Sequence, residues 1–197
     1  MEREARVMSY LAGHGYPVPR VEDLRADGSE LVMERITGPT MLQALSRRPW
    51  TLGDNAALLA TLHRRLHEIP APDWLSPFPG GGDGIVHLDL HPLNVIRSPR
   101  GPVLIDWTNV ARGAGSLDVA LTWLLMIAAE LTGRGLHAVS GRIVLTMFVR
   151  SFLGRFDLTA VRTALPAVAA WKARDRNMRP AEVAAMQRLV TREASRR

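Results

Sequence analysis

Apolar positions recur at helical spacing in several stretches of this 197-residue chain. Residues 2–12 set Val7, Met8 and Leu11 on one face before Gly13-His14-Gly15 interrupts the pattern, which predicts a helix. Pro17-Val18-Pro19 then enforces an extended backbone. Strands are predicted over 20–24 and 30–35, with Asp27-Gly28 supplying the turn of a hairpin. Thr51 is placed to cap a helix running to about residue 68, with Leu58, Leu59, Leu62 and Leu66 as its buried stripe. Short strands fit 85–88, 94–96 and 103–105, and Ser98-Pro99-Arg100-Gly101 turns between the last two. After Gly115 the pattern is helical: 117–131, 139–153, 158–171 and 181–194, separated by glycine or proline.

Composition narrows this outline. With 47% hydrophobic residues the chain can bury a core, and its length suits one domain. It has no cysteine, which excludes a disulfide framework, a thiolate nucleophile and a cysteine zinc site. The charged start Met1-Glu2-Arg3-Glu4-Ala5-Arg6 leads into no apolar signal core, and the uncharged run 119–129 is too short to span a bilayer. A soluble cytoplasmic protein is expected, with no membrane contact.

The net charge is +6, and 24 of the 25 basic residues are arginines, leaving Lys172 as the single lysine. Any mechanism that needs a lysine in the first 171 residues is closed to this chain. Residues 172–197 carry +5, which reads as a solvated basic helix; without aromatic interleaving beyond Trp171, nucleic acid is not the expected partner.

The chemistry concentrates in His87-Leu88-Asp89-Leu90-His91-Pro92-Leu93-Asn94-Val95. This is the His-x-Asp-Leu-x-x-x-Asn pattern of a kinase catalytic loop, and twelve residues after Asn94 the apolar Leu104-Ile105 ends in Asp106. Phosphoryl transfer needs one carboxylate to orient and deprotonate the attacking hydroxyl, which suits Asp89. It needs a second carboxylate and an amide oxygen to hold magnesium against the phosphates, which suits Asp106 and Asn94. His87 is read as loop support, and His91 as either solvent-facing or a neighbour of substrate. A rival reading takes His87, Asp89 and His91 as alternating metal ligands of a hydrolase on one side of a strand; Pro92 and the matched Asn94 and Asp106 argue against it. Gly80-Gly81-Gly82 is not followed by Gly-Lys-Ser/Thr and reads as a linker, not a phosphate loop. His63 and His67, one helical turn apart without the metalloprotease glutamate, read as polar-face residues.

These motifs resemble the aminoglycoside phosphotransferase and choline-kinase-like family, relatives of the protein kinases. Glu2 to Val7 followed by Pro17-Val18-Pro19 is similar to that family's first helix and the entry to its next strand. Leu31 to Gly38 is similar to its hinge, Leu62-His63 through Pro70 to the helix before its catalytic loop, and Gly113 through Ala120 to the stretch after its magnesium aspartate. The resemblance implies an α+β, protein-kinase-like fold. Residues 1–38 would be a truncated N-terminal lobe with its hinge, and residues 39–197 a C-terminal catalytic lobe, helical after about 116. It implies Asp89 as catalytic base, Asn94 and Asp106 as magnesium ligands, Glu4 as the helix glutamate, and Met33, Glu34 and Ile36 at the nucleotide. Asp118 would support the loop.

The implied reaction is magnesium-dependent transfer of the γ-phosphate of ATP or GTP to a hydroxyl of a small molecule. Two departures stand out. The family's phosphate-covering loop and its lysine strand have no counterpart in this sequence, so Glu4 lacks its expected partner, and Leu88 stands where the family usually has glycine. The alternative is therefore a degenerate kinase-like protein that binds ligand without efficient catalysis. Apolar surface left by a missing lobe would also permit a homo-oligomer.

Overall fold

A computed structural model describes residues 1–129 and 136–195. The chain opens with helix α1 (Glu2–Gly13), whose Val7, Met8 and Leu11 are buried as the sequence pattern requires. Strands β1 (Val21–Arg25) and β2 (Glu30–Met33) form an antiparallel hairpin in which Asp27 and Gly28 both take positive φ. The second strand stops at Met33, two residues short of the expected end, where the chain becomes an extended connector.

The connector leads to α2 (Met41–Arg47), a helix absent from the sequence reading. Thr40 and Gln43 close it with a reciprocal capping box, each side chain bonding the other's backbone amide. Gly38 lies so close to β4 (Val95–Ser98) that a Cβ would meet the Arg97 carbonyl oxygen at 2.3 Å, and its φ of 145° is one that only glycine adopts freely. Helix α3 (Leu52–His67) follows. Thr51 does not cap it through its side chain; the hydroxyl turns back to the Arg48 carbonyl. Leu59, Leu62 and Leu66 are buried, whereas Leu58 packs at the margin of the core.

Strand β3 (Gly84–Val86) pairs with β6 (Ala111–Gly113), and β4 pairs with β5 (Gly101–Leu104), both antiparallel. These two small ribbons bracket residues 87–94 and 105–110. The rest is helical: α4 (Gly115–Ala129), α5 (Leu136–Leu153), α6 (Leu158–Lys172) and α7 (Pro180–Ala194). The last residues of the helix predicted over 117–131, 130 and 131, lie outside the described residues.

Helix α4 is buried around most of its circumference, with Asp118 and Thr122 the buried polar residues among its apolar ones, and packs against α3, α5, α6 and α7. It also packs against β3, and its Asp118 meets the loop that follows that strand. The fold therefore sets the catalytic-loop sequence directly on its most buried helix. No helix among the described residues is long and apolar enough to cross a membrane.

Candidate active site

Residues 87–93 leave β3 as an irregular loop, not a strand. Leu88 takes φ 58°, a left-handed conformation that costs a branched side chain roughly 1–2 kcal/mol. Two interactions hold it there. Its side chain is buried, worth about 1.5–3 kcal/mol, and its amide donates to Asp118 Oδ1 at 2.8 Å. Burial alone matches or exceeds the strain, so leucine is tolerated where glycine was expected. The reversal also breaks the alternation on which the His87–Asp89–His91 metal reading depended. His87 faces the Trp107 ring, and its Nε2 donates to the Ile105 carbonyl at 3.1 Å.

Asp118, fully buried on α4, organises this loop. Its Oδ2 accepts the His87 amide at 3.0 Å and His67 Nε2 at 3.1 Å, while Oδ1 takes the Leu88 amide. Burial works against its charge; the hydrogen bond from His67, with the imidazoles of His63 and His87 nearby, overrides that and holds the carboxyl well below the usual carboxylate range. One turn along α4, buried Thr122 donates its hydroxyl to the Leu90 carbonyl at 2.6 Å. The sequence reading found Asp118 and missed Thr122. A side chain one turn after a loop-supporting aspartate faces the same way, which is the signal that could have found it.

His63 and His67 are not polar-face residues. His63 is fully buried against Phe152 and Phe156, and its Nε2 donates to Thr122 Oγ1 at 3.2 Å. Its Nδ1, 3.7 Å from Asp118 Oδ2, makes no hydrogen bond. Burial pushes His63 down to about 3, so the ring is neutral near pH 7. The folded ring then binds its proton only near pH 3, the unfolded one near 6.5, and stability must fall as pH drops between them. The free energy of unfolding is expected to decrease by about 1 kcal/mol per pH unit from about pH 6 to about pH 4.5. Denaturant titrations across that range check this, and His63→Gln should flatten the slope.

Asp89 is the hub of the loop. Asn94 Nδ2 donates both to the Asp89 carbonyl at 2.9 Å and to Asp89 Oδ2 at 3.1 Å. The Asp89 Oδ1 atom lies 3.6 Å from His91 Nε2 and 4.0 Å from Lys172 Nζ. Burial lowers the His91 pKa, opposed chiefly by Asp89. Lys172 is only 7% exposed, so it does not belong with the solvated basic tail.

Asp106 follows β5 at φ 65°, another left-handed position, and its Oδ1 accepts the Thr108 hydroxyl at 2.9 Å. The Ile105 amide donates to the Asn94 carbonyl at 3.0 Å, which ties the Asp106 segment to the loop. Asn94 uses its amide nitrogen on Asp89, so its Oδ1 is left over, as is Asp106 Oδ2. Spare carboxylate and amide oxygens are the donors a magnesium ion takes, and these two residues fit one.

The remaining predicted residues lie apart from this cluster in their contacts. Glu4 meets the chain's own terminal amine at 4.0 Å, and among the described residues no lysine or arginine pairs with it. Its neighbour Arg3 reaches the Val110 carbonyl in the loop after Asp106. Glu34 is engaged by Arg100, Met33 is exposed and Ile36 half-buried. Backbone amides from Arg35 to Gly38 donate no hydrogen bond within the described structure, so this connector offers free amides along its edge. A pocket of about 290 Å³ opens beside His91 and Pro92, walled by Leu42, Leu125, Leu145 and Met178.

Residues 1–83 match the family model described as the phosphotransferase enzyme family. Among solved structures, an aminoglycoside-3'-phosphotransferase of type VIII superposes with a TM-score of 0.56 at 22% identity, covering 96% of this chain and 78% of that one. The amicoumacin kinase hAmiN, in complex with AMP-PNP, Ca2+ and Ami, also gives 0.56, at 12% identity, with 98% and 76% covered. No curated protein matches the chain. Residues 1–83 are thus similar to the phosphotransferase enzyme family, and the chain as a whole shares the kinase-like fold of these two solved structures.

Proposed function

We propose that the protein transfers the γ-phosphate of ATP to a hydroxyl of a small molecule. The observation that carries this is the Asp89–Asn94–Asp106 cluster: one carboxylate fixed by an amide, and two spare oxygens on adjoining segments. Asp89 accepts the proton of the acceptor hydroxyl. The oxygen–γ-phosphorus bond forms as the bond from γ-phosphorus to the β-bridging oxygen breaks, and ADP carries away the electron pair. Asn94 and Asp106 would hold magnesium, which when bound neutralises charge on the phosphates. The free amides of the 35–38 connector suit the adenine edge. A kinase of this fold that holds AMP-PNP and Ca2+ supports nucleotide and divalent metal as ligands.

For the acceptor, the pocket beside His91 has mainly apolar walls. Of the acidic residues of the C-terminal helices, two pair with cations and two accept backbone amides. Asp157 caps α6, Asp175 pairs with Lys172, Glu182 accepts the Arg179 amide, and Glu193 pairs with Arg162. Only Glu182 of these lines the pocket, whose other walls are mainly apolar, which favours an acceptor with a largely apolar body over a polycationic one.

The test is thermal shift with MgATP. Wild type should be stabilised, by about 2.7 kcal/mol when nucleotide reaches a hundred times its dissociation constant. Asp106→Ala should lose the magnesium-dependent part of that shift. No shift in wild type, or the same magnesium-dependent shift in the variant, overturns the reading.

A further inference from the structure

The reaction just described makes no use of the chain's only lysine. Lys172 ends α6, 83 residues after Asp89 in sequence, yet its side chain is turned inward and nearly buried. A buried ammonium persists only with a counter-charge, and two carboxylates supply it. Asp175 Oδ2 accepts from Nζ at 2.9 Å, and Asp89 Oδ1 lies at 4.0 Å. Asp175 is itself fixed, because its Oδ1 accepts the Asn177 amide at 2.9 Å. The Trp171 ring flanks Nζ at 5.9 Å and seats against Phe78.

We infer that Lys172 is a positioning residue for Asp89: anchored by Asp175, its ammonium attracts the Oδ1 side of the carboxylate across 4.0 Å while the Asn94 amide bonds the Oδ2 side. The inference rests on the reading of Asp89 as catalytic base. A carboxylate hydrogen-bonded at one oxygen can still rotate about Cβ–Cγ; an ammonium fixed 4.0 Å from the other oxygen favours one orientation electrostatically, and small misplacements of a base are costly. His91 lies nearer the same oxygen, at 3.6 Å, but burial favours its neutral ring, so the charge facing Oδ1 is that of Lys172. The cation beside this carboxylate therefore comes from the end of α6.

A single lysine makes the test direct. Protein labelled with 15N-lysine gives one side-chain ammonium signal in NMR, distinct from backbone amides. Asp89→Asn and Asp175→Asn should each move it; a signal unmoved by Asp89→Asn overturns the inference, and this arm requires neither turnover nor a lysine variant. In MgATP turnover, Lys172→Met should lower kcat by about tenfold or more while KM for MgATP stays within about twofold, and Lys172→Arg should recover part of the loss. Adding Lys172→Met to Asp89→Asn should cost nothing further, because the two act through one carboxylate. A Lys172→Met enzyme with kcat within about twofold of wild type, or a multiplicative loss in the double variant, overturns it. A wild type that turns over no nucleotide instead sinks the phosphotransfer reading, and the NMR signal still decides whether Lys172 holds Asp89.

Discussion

Asp118→Asn is expected to destabilise the fold by about 3–5 kcal/mol, the cost of removing a buried charge from groups arranged around it. The size follows from counting donors. Three of them, the amides of His87 and Leu88 and the Nε2 of His67, converge on the two carboxylate oxygens. Asparagine has one oxygen and one NH2. Whichever way its amide is turned, the NH2 faces a backbone N–H that has no other partner, and a buried unsatisfied donor is expensive. The substitution keeps volume and shape, so lost packing cannot account for the result. Equilibrium denaturation measures it. A loss below about 1 kcal/mol would mean that the clamp is dispensable to the fold.

Asp89→Asn is expected to leave the fold intact and remove phosphoryl transfer, by about 10²–10⁴-fold in kcat, the range attributable to a positioned general base. Asp89 is partly exposed at the loop surface, and asparagine can still accept from the Asn94 amide, so little stability is at stake. What is lost is the capacity to take a proton. Phosphate release from MgATP, and transfer to any hydroxyl acceptor that wild type phosphorylates, are the quantities to follow. The MgATP thermal shift should survive, in contrast with Asp106→Ala. An Asp89→Asn enzyme with turnover within about threefold of wild type would remove Asp89 from the base role.

The kinase-like loop was legible because its chemistry is written locally. Asp89, Asn94 and Asp106 stand at fixed spacings, and Asp118 opens the apolar helix that follows. The long helices were legible for a similar reason, since their apolar periodicity extends over several turns. Elements set by distant partners were not. Strand β6 is three residues long and exists by pairing with β3, to which nothing in Ala111-Arg112-Gly113 alone points. Helix α2 is two turns long, but its Thr40-x-x-Gln43 box was a readable signal that the proline and glycine just before it obscured. His63 and His67 were misread because their spacing on α3 shows a shared face but not that α4 and α5 cover it. Lys172 was misread because composition assigns it to a basic tail; of its two carboxylate neighbours Asp175 is close in sequence, but Asp89, which places it at the site, comes from far away in the chain.

The left-handed Leu88 has an effect that only the unfolded chain reveals. A glycine in its place would be free to wander over most of backbone space before folding and would surrender that freedom on entering the loop. Leucine starts with fewer conformers, so ordering the residues just before Asp89 costs less backbone entropy than a glycine would demand. Its buried side chain then fastens the same residue into the core. At this loop position leucine exchanges local strain for preorganisation, and the neighbouring Asp89 carboxylate, the proposed proton acceptor, is set in place as the loop folds.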